Sequence, residues 1–328
     1  VAREGASVEI QGGALRAPSR ALDLGNSGTG IRLLTGALCG YPDLFGASIA
    51  LSGDASLSRR PMQRIIEPLT SMGAVIDSRA GCAPMVVRPG RLSAKAHRLR
   101  IASAQVKSAI LLAGLNAPGR TQVTEPGISR DHTERLLPAF GADVERADDC
   151  RTANRFGVTG PIRLEAASIA VPGDLSSAAF MVAAALLVTG SRVEVGPTGV
   201  NPTRDGFLRI VERMAASAVT RHPLTGTGGE PAAMLEVAAP DRLVGVDIPR
   251  TWVPLAIDEF PLIMAMAAVA DGQTVITGAE ELRVKESDRL AVMSRQLGRL
   301  GVRVEEHADG ATVYGSRVRG GTVDAGGD

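Results

Sequence analysis

Pro126-Gly127-Ile128-Ser129-Arg130-Asp131-His132, leading to Gly141-Ala142-Asp143-Val144, is one of four matching stretches in this chain. Gly53-Asp54 runs through Arg59-Arg60-Pro61 to Gly73-Ala74-Val75, and Gly199 runs through Asn201-Pro202-Thr203-Arg204 to Ala218-Val219. Gly278 runs through Arg283-Val284-Lys285-Glu286-Ser287-Asp288-Arg289 to Gly301-Val302. Recurrence at a period of roughly 70 to 85 residues marks one repeated supersecondary unit. Each copy carries different charged residues at the same place. If the helix starts of the units face one centre, they gather Arg60, Arg130, Lys285 and Arg289 there from distant sequence. Such a gathering is an anion site.

Working outward, each unit holds a second, more apolar helix before the basic one. These are predicted over Gly30 to Leu38, Gln105 to Leu115, Ser176 to Val188 and Asp258 to Ala270. They are rich in Ala, Leu, Ile and Met nearly all round, the pattern of a helix buried on most sides. Gly40, Gly119, Gly190 and Gly272 follow them and suit a left-handed closing residue. A β-branched run comes next in each copy, as in Arg192-Val193-Glu194-Val195 and Thr274-Val275-Ile276. The amphipathic helix after the glycine turn shows the stripe Leu136, Leu137, Phe140 in the second copy and Leu290, Met293, Leu297, Leu300 in the fourth. Each unit thus reads βαβαβ or longer, and a parallel-rich sheet with right-handed crossovers is expected. The pattern restarts at Ile169-Ala170-Val171-Pro172-Gly173-Asp174, which divides the chain into residues 1–171 and 172–328.

At 328 residues the chain can form two domains with real cores. Aromatic residues make up only 3%, so aliphatic side chains must pack them. A formal net charge of +1 argues against nucleic acid or an acidic membrane as main partner, so any anion binding is local. Cys39, Cys82 and Cys150 follow no metal or disulfide spacing and read as reduced, cytoplasmic thiols. His97, His132, His222 and His307 form no metal cluster by spacing. The longest apolar stretch, Ala178 to Val188, is too short to span a bilayer.

Several stretches could carry chemistry. Gly25-Asn26-Ser27-Gly28-Thr29-Gly30 opens a helix with Arg32 in its first turn. Glycines let backbone amides approach an anion, and the helix start adds a favourable dipole. The alternative is a tight turn capped by Ser27 or Thr29. It is neither a Walker loop nor a dinucleotide fingerprint. Ser103 suits the N-cap of the second unit's helix, while Gln105 and Lys107 are polar groups at the start of a helix that wants burial. Such groups need partners, and a ligand would serve. Lys285 and Arg289 lie four apart, as if on one helix face, and would gain from an anion between them. Asp258 and Glu259 either cap the apolar helix that follows or supply a general base whose pKa is set by nearby cations.

Taken together, Leu22-Asp23-Leu24-Gly25-Asn26-Ser27-Gly28-Thr29-Gly30, Arg60-Pro61-Met62, Ser103-Ala104-Gln105-Val106-Lys107-Ser108, Asp258-Glu259 and Lys285-Glu286-Ser287-Asp288-Arg289-Leu290 resemble the 5-enolpyruvylshikimate-3-phosphate synthase family. The Ser-Ala-Gln-Val-Lys and Ser-Arg-Asp-His pieces are most similar to the class that includes glyphosate-tolerant bacterial enzymes. The resemblance covers essentially the whole chain. It implies an α/β, two-domain enolpyruvyl transferase fold built from repeated βαβαββ units, an inside-out α/β barrel, with substrates between the domains. It implies transfer of the enolpyruvyl group of phosphoenolpyruvate to the 5-hydroxyl of shikimate 3-phosphate, without metal or cofactor, by a cytoplasmic monomer. By the same resemblance, Gly28, Arg60, Gln105 and Arg289 match phosphoenolpyruvate ligands. Ser103, Ala104, Gln105, Ser129, Arg130, Asp258 and Lys285 match ligands of shikimate 3-phosphate. Asp258 matches the proton acceptor and Glu286 the proton donor, and Gly28 would leave room for glyphosate.

An early Lys-Ser-x-x-x-Arg motif and a late Asp-His-Arg motif of the family find no match here, so truncation at both ends is expected. Two alternatives stand beside the synthase. One is a UDP-N-acetylglucosamine enolpyruvyl transferase, for which no cysteine lies in a matching context. The other is a non-catalytic scaffold that binds shikimate 3-phosphate only.

Overall fold

The computed structural model describes residues 1–149, 153–225, 228–285 and 287–324. Glu286 and Cys150 therefore lie outside the described residues. The chain divides into two compact units, Val1–Ser168 and Ile169–Asp328.

The first unit begins with an exposed hairpin, β1 (Ala2–Glu4) and β2 (Ser7–Glu9). Two copies of one motif follow. The first runs β3 (Leu22–Asp23), α1 (Gly28–Cys39), β4 (Ile49–Ser52), α2 (Gln63–Ser71), β5 (Val75–Arg79), β6 (Cys82–Arg88). The second runs β7 (Ala96–Arg98), α3 (Ala104–Gly114), β8 (Gly119–Glu125), α4 (His132–Leu136), β9 (Glu145–Asp149), β10 (Ala153–Gly160). The sheet orders are β3-β4-β6-β5 and β7-β8-β10-β9.

The second unit repeats the plan as α5 (Leu175–Leu187), β11 (Arg192–Gly199), α6 (Gly206–Met214), β12 (Val219–Leu224), β13 (Ala232–Ala238), and then α7 (Phe260–Ala267), β14 (Gln273–Ile276), α8 (Arg289–Arg299), β15 (Arg303–His307), β16 (Gly310–Tyr314). Its sheets are ordered β11-β13-β12 and β14-β16-β15. The opening strand of each copy is reduced here to parallel bridges, Gly173 to Thr198 in one, Val244 to Asp271 and Asp247 to Val275 in the other. The fourfold βαβαββ repeat is thus real.

The sheets are not parallel-rich, however. Only the first strand of each copy runs parallel to the second. The fourth strand inserts between the second and third and is antiparallel to both. Parallel pairing needs a crossover of a dozen or more residues, whereas a short turn returns the chain antiparallel. Ala80 and Gly81, with φ of 51° and 72°, make such a turn between β5 and β6. No sheet closes into a barrel among the described residues.

Two other expectations are corrected. Gly119, Gly190 and Gly272 have positive φ, but Gly40 does not. A Cβ at Gly40 would lie 2.8 Å from Leu92 Cδ1, so close packing accounts for it. The helix α3 is buried nearly all round, through Val106, Ala109, Ile110, Leu111 and Ala113. In contrast, α5 packs Ala179, Val182, Ala183 and Leu186 inward and leaves Phe180, Met181 and Leu187 exposed. The described residues cover only one side of it. In the second copy the amphipathic helix breaks after Leu136 into a 3-10 turn at Leu137–Phe140, because Pro138 has no N–H to give.

The first core is fixed by the approach of α1 to α3. A Cβ at Gly36 would stand 2.2 Å from the carbonyl oxygen of Ala109 and 2.7 Å from its Cα. Only a glycine allows this crossing. Alanine at position 36 would favour an isolated helix by about 1 kcal/mol. Inside the fold, Gly36→Ala is expected to destabilise by about 1–3 kcal/mol, because overpacking outweighs propensity. A lower urea midpoint at unchanged slope would show it. Burial pushes the Cys39 thiol up to about 12. Iodoacetamide at about pH 8 is therefore expected to label half-buried Cys82 well before Cys39, as read by peptide mass spectrometry.

Candidate functional site

Three stretches of the first unit converge at the start of α1. The loop before it is capped by Ser27, whose side chain accepts from the Gly30 amide at 2.9 Å. This is the capping alternative, and it leaves Asn26, Gly28 and Thr29 for other contacts. The Gly53–Arg60 loop docks on the same turn, with the Asp54 amide donating to Gly25 O at 2.9 Å. Arg60 thereby reaches Asn26, donating to its Oδ1 at 2.7 Å. Its guanidinium lies over Gly28, where a Cβ would stand 2.9 Å from Arg60 Nη1 and 3.1 Å from Arg32 Nη1. The space at Gly28 is therefore occupied by the Arg60 guanidinium.

Arg32 completes the group. It donates to Gln105 Oε1 at 2.6 Å, to Gly28 O at 3.2 Å and to Pro61 O at 3.1 Å. Gln105 in turn donates to Thr29 Oγ1 at 2.8 Å. Every acceptor of Arg32 and Arg60 is a neutral oxygen, and among the described residues no carboxylate pairs with either. Burial, then the guanidinium groups of Arg60 and Arg64, hold the Arg32 pKa below its ordinary value. Guanidinium groups gathered without a counter-charge are a ready anion site. The sequence reading left Arg32 out of its ligand set. Its signal was available, since a cation in the first turn of a helix opposes the dipole and needs an acceptor.

Ser103 occupies the N-cap position of α3 with extended backbone, yet its side chain makes no capping hydrogen bond. Its hydroxyl, the Ala104 backbone and Gln105 stand together at that helix start. Lys107 corrects an expectation. Its partner is internal, because its Nζ lies 2.8 Å from Glu125 Oε1 and 2.8 Å from Glu134 Oε1, with no exposure. The loop carrying Ser129 and Arg130 passes beside the start of α3, where a Cβ at Gly127 would touch Ala102 Cβ at 3.7 Å. The Ser129 hydroxyl lies 2.9 and 2.8 Å from the two Glu125 carboxylate oxygens and donates to that group. To hold a phosphate through this hydroxyl, Ser129 would have to turn its hydrogen away from Glu125.

In the second unit Asp258 meets the Lys-Glu-Ser-Asp-Arg stretch. Lys285 Nζ is 3.6 Å and Arg289 Nη1 3.8 Å from Asp258 Oδ1, and Lys285 also lies 3.3 Å from Glu281. The two cations do not share a helix face, since α8 begins at Arg289 and Lys285 has extended backbone after the 3-10 turn Glu280–Val284. They converge through the turn instead. Asp288 caps α8 by accepting from the Ala291 amide at 3.0 Å. Arg283 binds Asp288 and Glu306 at 2.9 Å each and so serves the β15–β16 hairpin. Glu259 holds the N-cap position of α7 without a side-chain capping bond. Glu259 is buried and takes up the Ser176 hydroxyl beside Arg204. Asp258, Ser287 and Arg289 form the polar end of a cavity of about 510 Å³, whose apolar wall includes Leu262, Met293 and Leu297. Among the described residues no His/Cys/Asp/Glu cluster suits a metal, and no helix is long and apolar enough to cross a membrane.

A family model described as EPSP synthase (3-phosphoshikimate 1-carboxyvinyltransferase) matches residues 1–328. The chain belongs to the EPSP synthase family. A 3-phosphoshikimate 1-carboxyvinyltransferase of Acidithiobacillus ferrooxidans is 51% identical over 315 residues, covering 96% of this chain and 70% of the relative. One from Coxiella burnetii is 47% identical over 312 residues, covering 95% and 69%. A solved EPSP synthase structure from Acinetobacter baumannii superposes with a TM-score of 0.82 at 45% identity, over 92% of this chain and 66% of that one. The chain thus spans about two-thirds of these relatives' length. The family reading of the motifs is borne out, with the enzymatic function that this family carries, and the binding-only scaffold is not favoured.

Gly28→Ala is expected to leave stability within about 0.5 kcal/mol, because the ends of two flexible side chains can move. It should displace Arg60 from Asn26 and weaken anion binding at this site. Thermal melts beside phosphoenolpyruvate titration would check both. An unchanged affinity would remove Gly28 from the site.

Proposed function

We propose that this chain carries the substrate sites of a 3-phosphoshikimate 1-carboxyvinyltransferase, which transfers the enolpyruvyl group of phosphoenolpyruvate to the 5-hydroxyl of shikimate 3-phosphate and releases phosphate. The observation that carries this reading is the pair Arg32 and Arg60, gathered over Gly28 with no carboxylate partner among the described residues. Both substrates are polyanions, and Arg forks suit phosphate and carboxylate. Gly28, Arg60, Gln105 and Arg289 are assigned to phosphoenolpyruvate. Ser103, Ala104, Gln105, Ser129, Arg130, Asp258 and Lys285 are assigned to shikimate 3-phosphate.

The reaction adds the hydroxyl oxygen to C2 of the enol while C3 gains a proton. It then expels phosphate as C3 loses a proton, so the double bond re-forms. Asp258 suits the base that takes the hydroxyl proton, with Lys285 at 3.6 Å and Arg289 at 3.8 Å beside it. Glu286, assigned as acid, lies outside the described residues. The arginines stabilise the tetrahedral adduct, which bears both phosphate and carboxylate. The two units act as the two substrate domains, and a cytoplasmic monomer without cofactor fits this reading.

Calorimetric titration with shikimate 3-phosphate, alone and with phosphoenolpyruvate, beside a phosphate-release assay tests the proposal. Binding of both with release of phosphate is expected, and no binding of either overturns the site. Arg60→Ala should weaken phosphoenolpyruvate about ten- to hundredfold while sparing shikimate 3-phosphate. Equal losses would contradict the division of ligands. Where turnover is measured, Asp258→Asn should lower kcat by about 10²- to 10⁴-fold.

A further inference from the structure

Lys107 is buried completely, on a helix that is otherwise mostly apolar from Val106 to Gly114. Its ammonium lies 4.3 Å from the centre of the Phe156 ring and 2.8 Å from each of two carboxylates. Those carboxylates bracket the Ser129–Arg130 loop. Glu125 ends β8 just before the loop, and Glu134 lies in the first turn of α4 just after it. Both side chains are at least nine-tenths buried. Glu125 also receives the Ser129 hydroxyl, while Thr133 donates to Ser108 on α3 at 2.7 Å. The loop's outer side is held by Asn154, which donates to Gly127 O at 3.1 Å.

An apolar side chain at position 107 would fill the same space without desolvating three charges. Buried ion pairs add little stability over well-packed apolar residues, so the cluster's value lies in the geometry it imposes. No well-aligned hydrogen bond reaches either oxygen of Glu134 among the described residues. Its carboxylate is held by the charge of Lys107. Burial, opposed by that charge, pushes its carboxyl above the ordinary range. The ammonium ties both ends of the loop to α3, two residues after Gln105.

We propose that Lys107 is a positioning residue, which holds the Ser129–Arg130 loop against the start of α3 so that Ser103, Ser129 and Arg130 meet the phosphate of the shikimate substrate at fixed spacing. This rests on the reading of that loop as the substrate's phosphate site. It separates the phosphate loop from the Arg32–Gln105–Thr29 bonds, which do not pass through Lys107.

The test compares shikimate with shikimate 3-phosphate by calorimetry, so that the difference reports the phosphate alone. In the triple variant Lys107→Met, Glu125→Gln, Glu134→Gln no unpaired charge stays buried. It is expected to melt near the unsubstituted chain and to bind shikimate 3-phosphate at least tenfold more weakly, with shikimate unchanged. A folded triple variant that keeps the full preference for the phosphorylated ligand overturns the proposal. A loss shared equally by both ligands also overturns it, since that is what a merely structural role gives. Glu134→Gln alone leaves Lys107 paired with Glu125 and decides the matter if the triple variant does not fold. A threefold or greater loss confined to shikimate 3-phosphate supports positioning, and no loss refutes it. If the unsubstituted chain shows no preference between the two ligands, the phosphate-loop reading itself falls, and this inference with it.

Discussion

The backbone of α1 at Gly36 rests on the backbone of α3 at Ala109, closer than any side chain would permit. Arg32 lies four residues before Gly36, and Gln105 four residues before Ala109. One helical turn above the contact, therefore, these two side chains stand opposite each other and bond at 2.6 Å. Packing and chemistry are the same constraint here. The crossing fixes where the two helix starts lie, and with them Arg32 and Gln105. A wider crossing would separate Arg32 from Gln105 and release the loop that carries Gly28.

The charged groups of the chain divide by how they are compensated. Arg32 and Arg60 face neutral oxygens and so retain their full attraction for an anion. Lys285 and Arg289 share Asp258, which leaves a carboxylate poised between cations. Lys107 is wholly internal, paired to two carboxylates and laid over an aromatic ring. Arg283 and Arg204 are structural, satisfied by carboxylates and by neighbouring carbonyl or hydroxyl oxygens. A count of basic residues near a motif cannot make these distinctions. They depend on which acceptors the fold carries to each cation.

Much of this was legible because the repeat writes the fold four times. Four glycine turns, four apolar helices and four β-branched runs gave the element order of each unit and marked the loops and helix starts that carry Arg60, Arg130, Lys285 and Arg289. Three features did not follow from pattern. The fourth strand's insertion between the second and third depends on sheet pairing, which periodicity leaves open. The exposed side of α5 depends on what packs against it, since its composition is that of a fully buried helix. The spacing of Lys285 and Arg289 looked helical, yet a 3-10 turn and a new helix start bring them together.

By itself the sequence determined the unit, its repetition and the family. These rest on local properties: hydrophobic period, turn residues and short motifs. Only the tertiary structure decided what each polar residue does. Ser103 sits at a cap it does not make, and Lys107 pairs with Glu125 and Glu134 where a ligand would also have served. The physical reason is that a hydrogen bond or ion pair belongs to two groups, and the second group arrives from elsewhere in the chain. For Arg32 it comes from 73 residues away, and for Arg60 from 34.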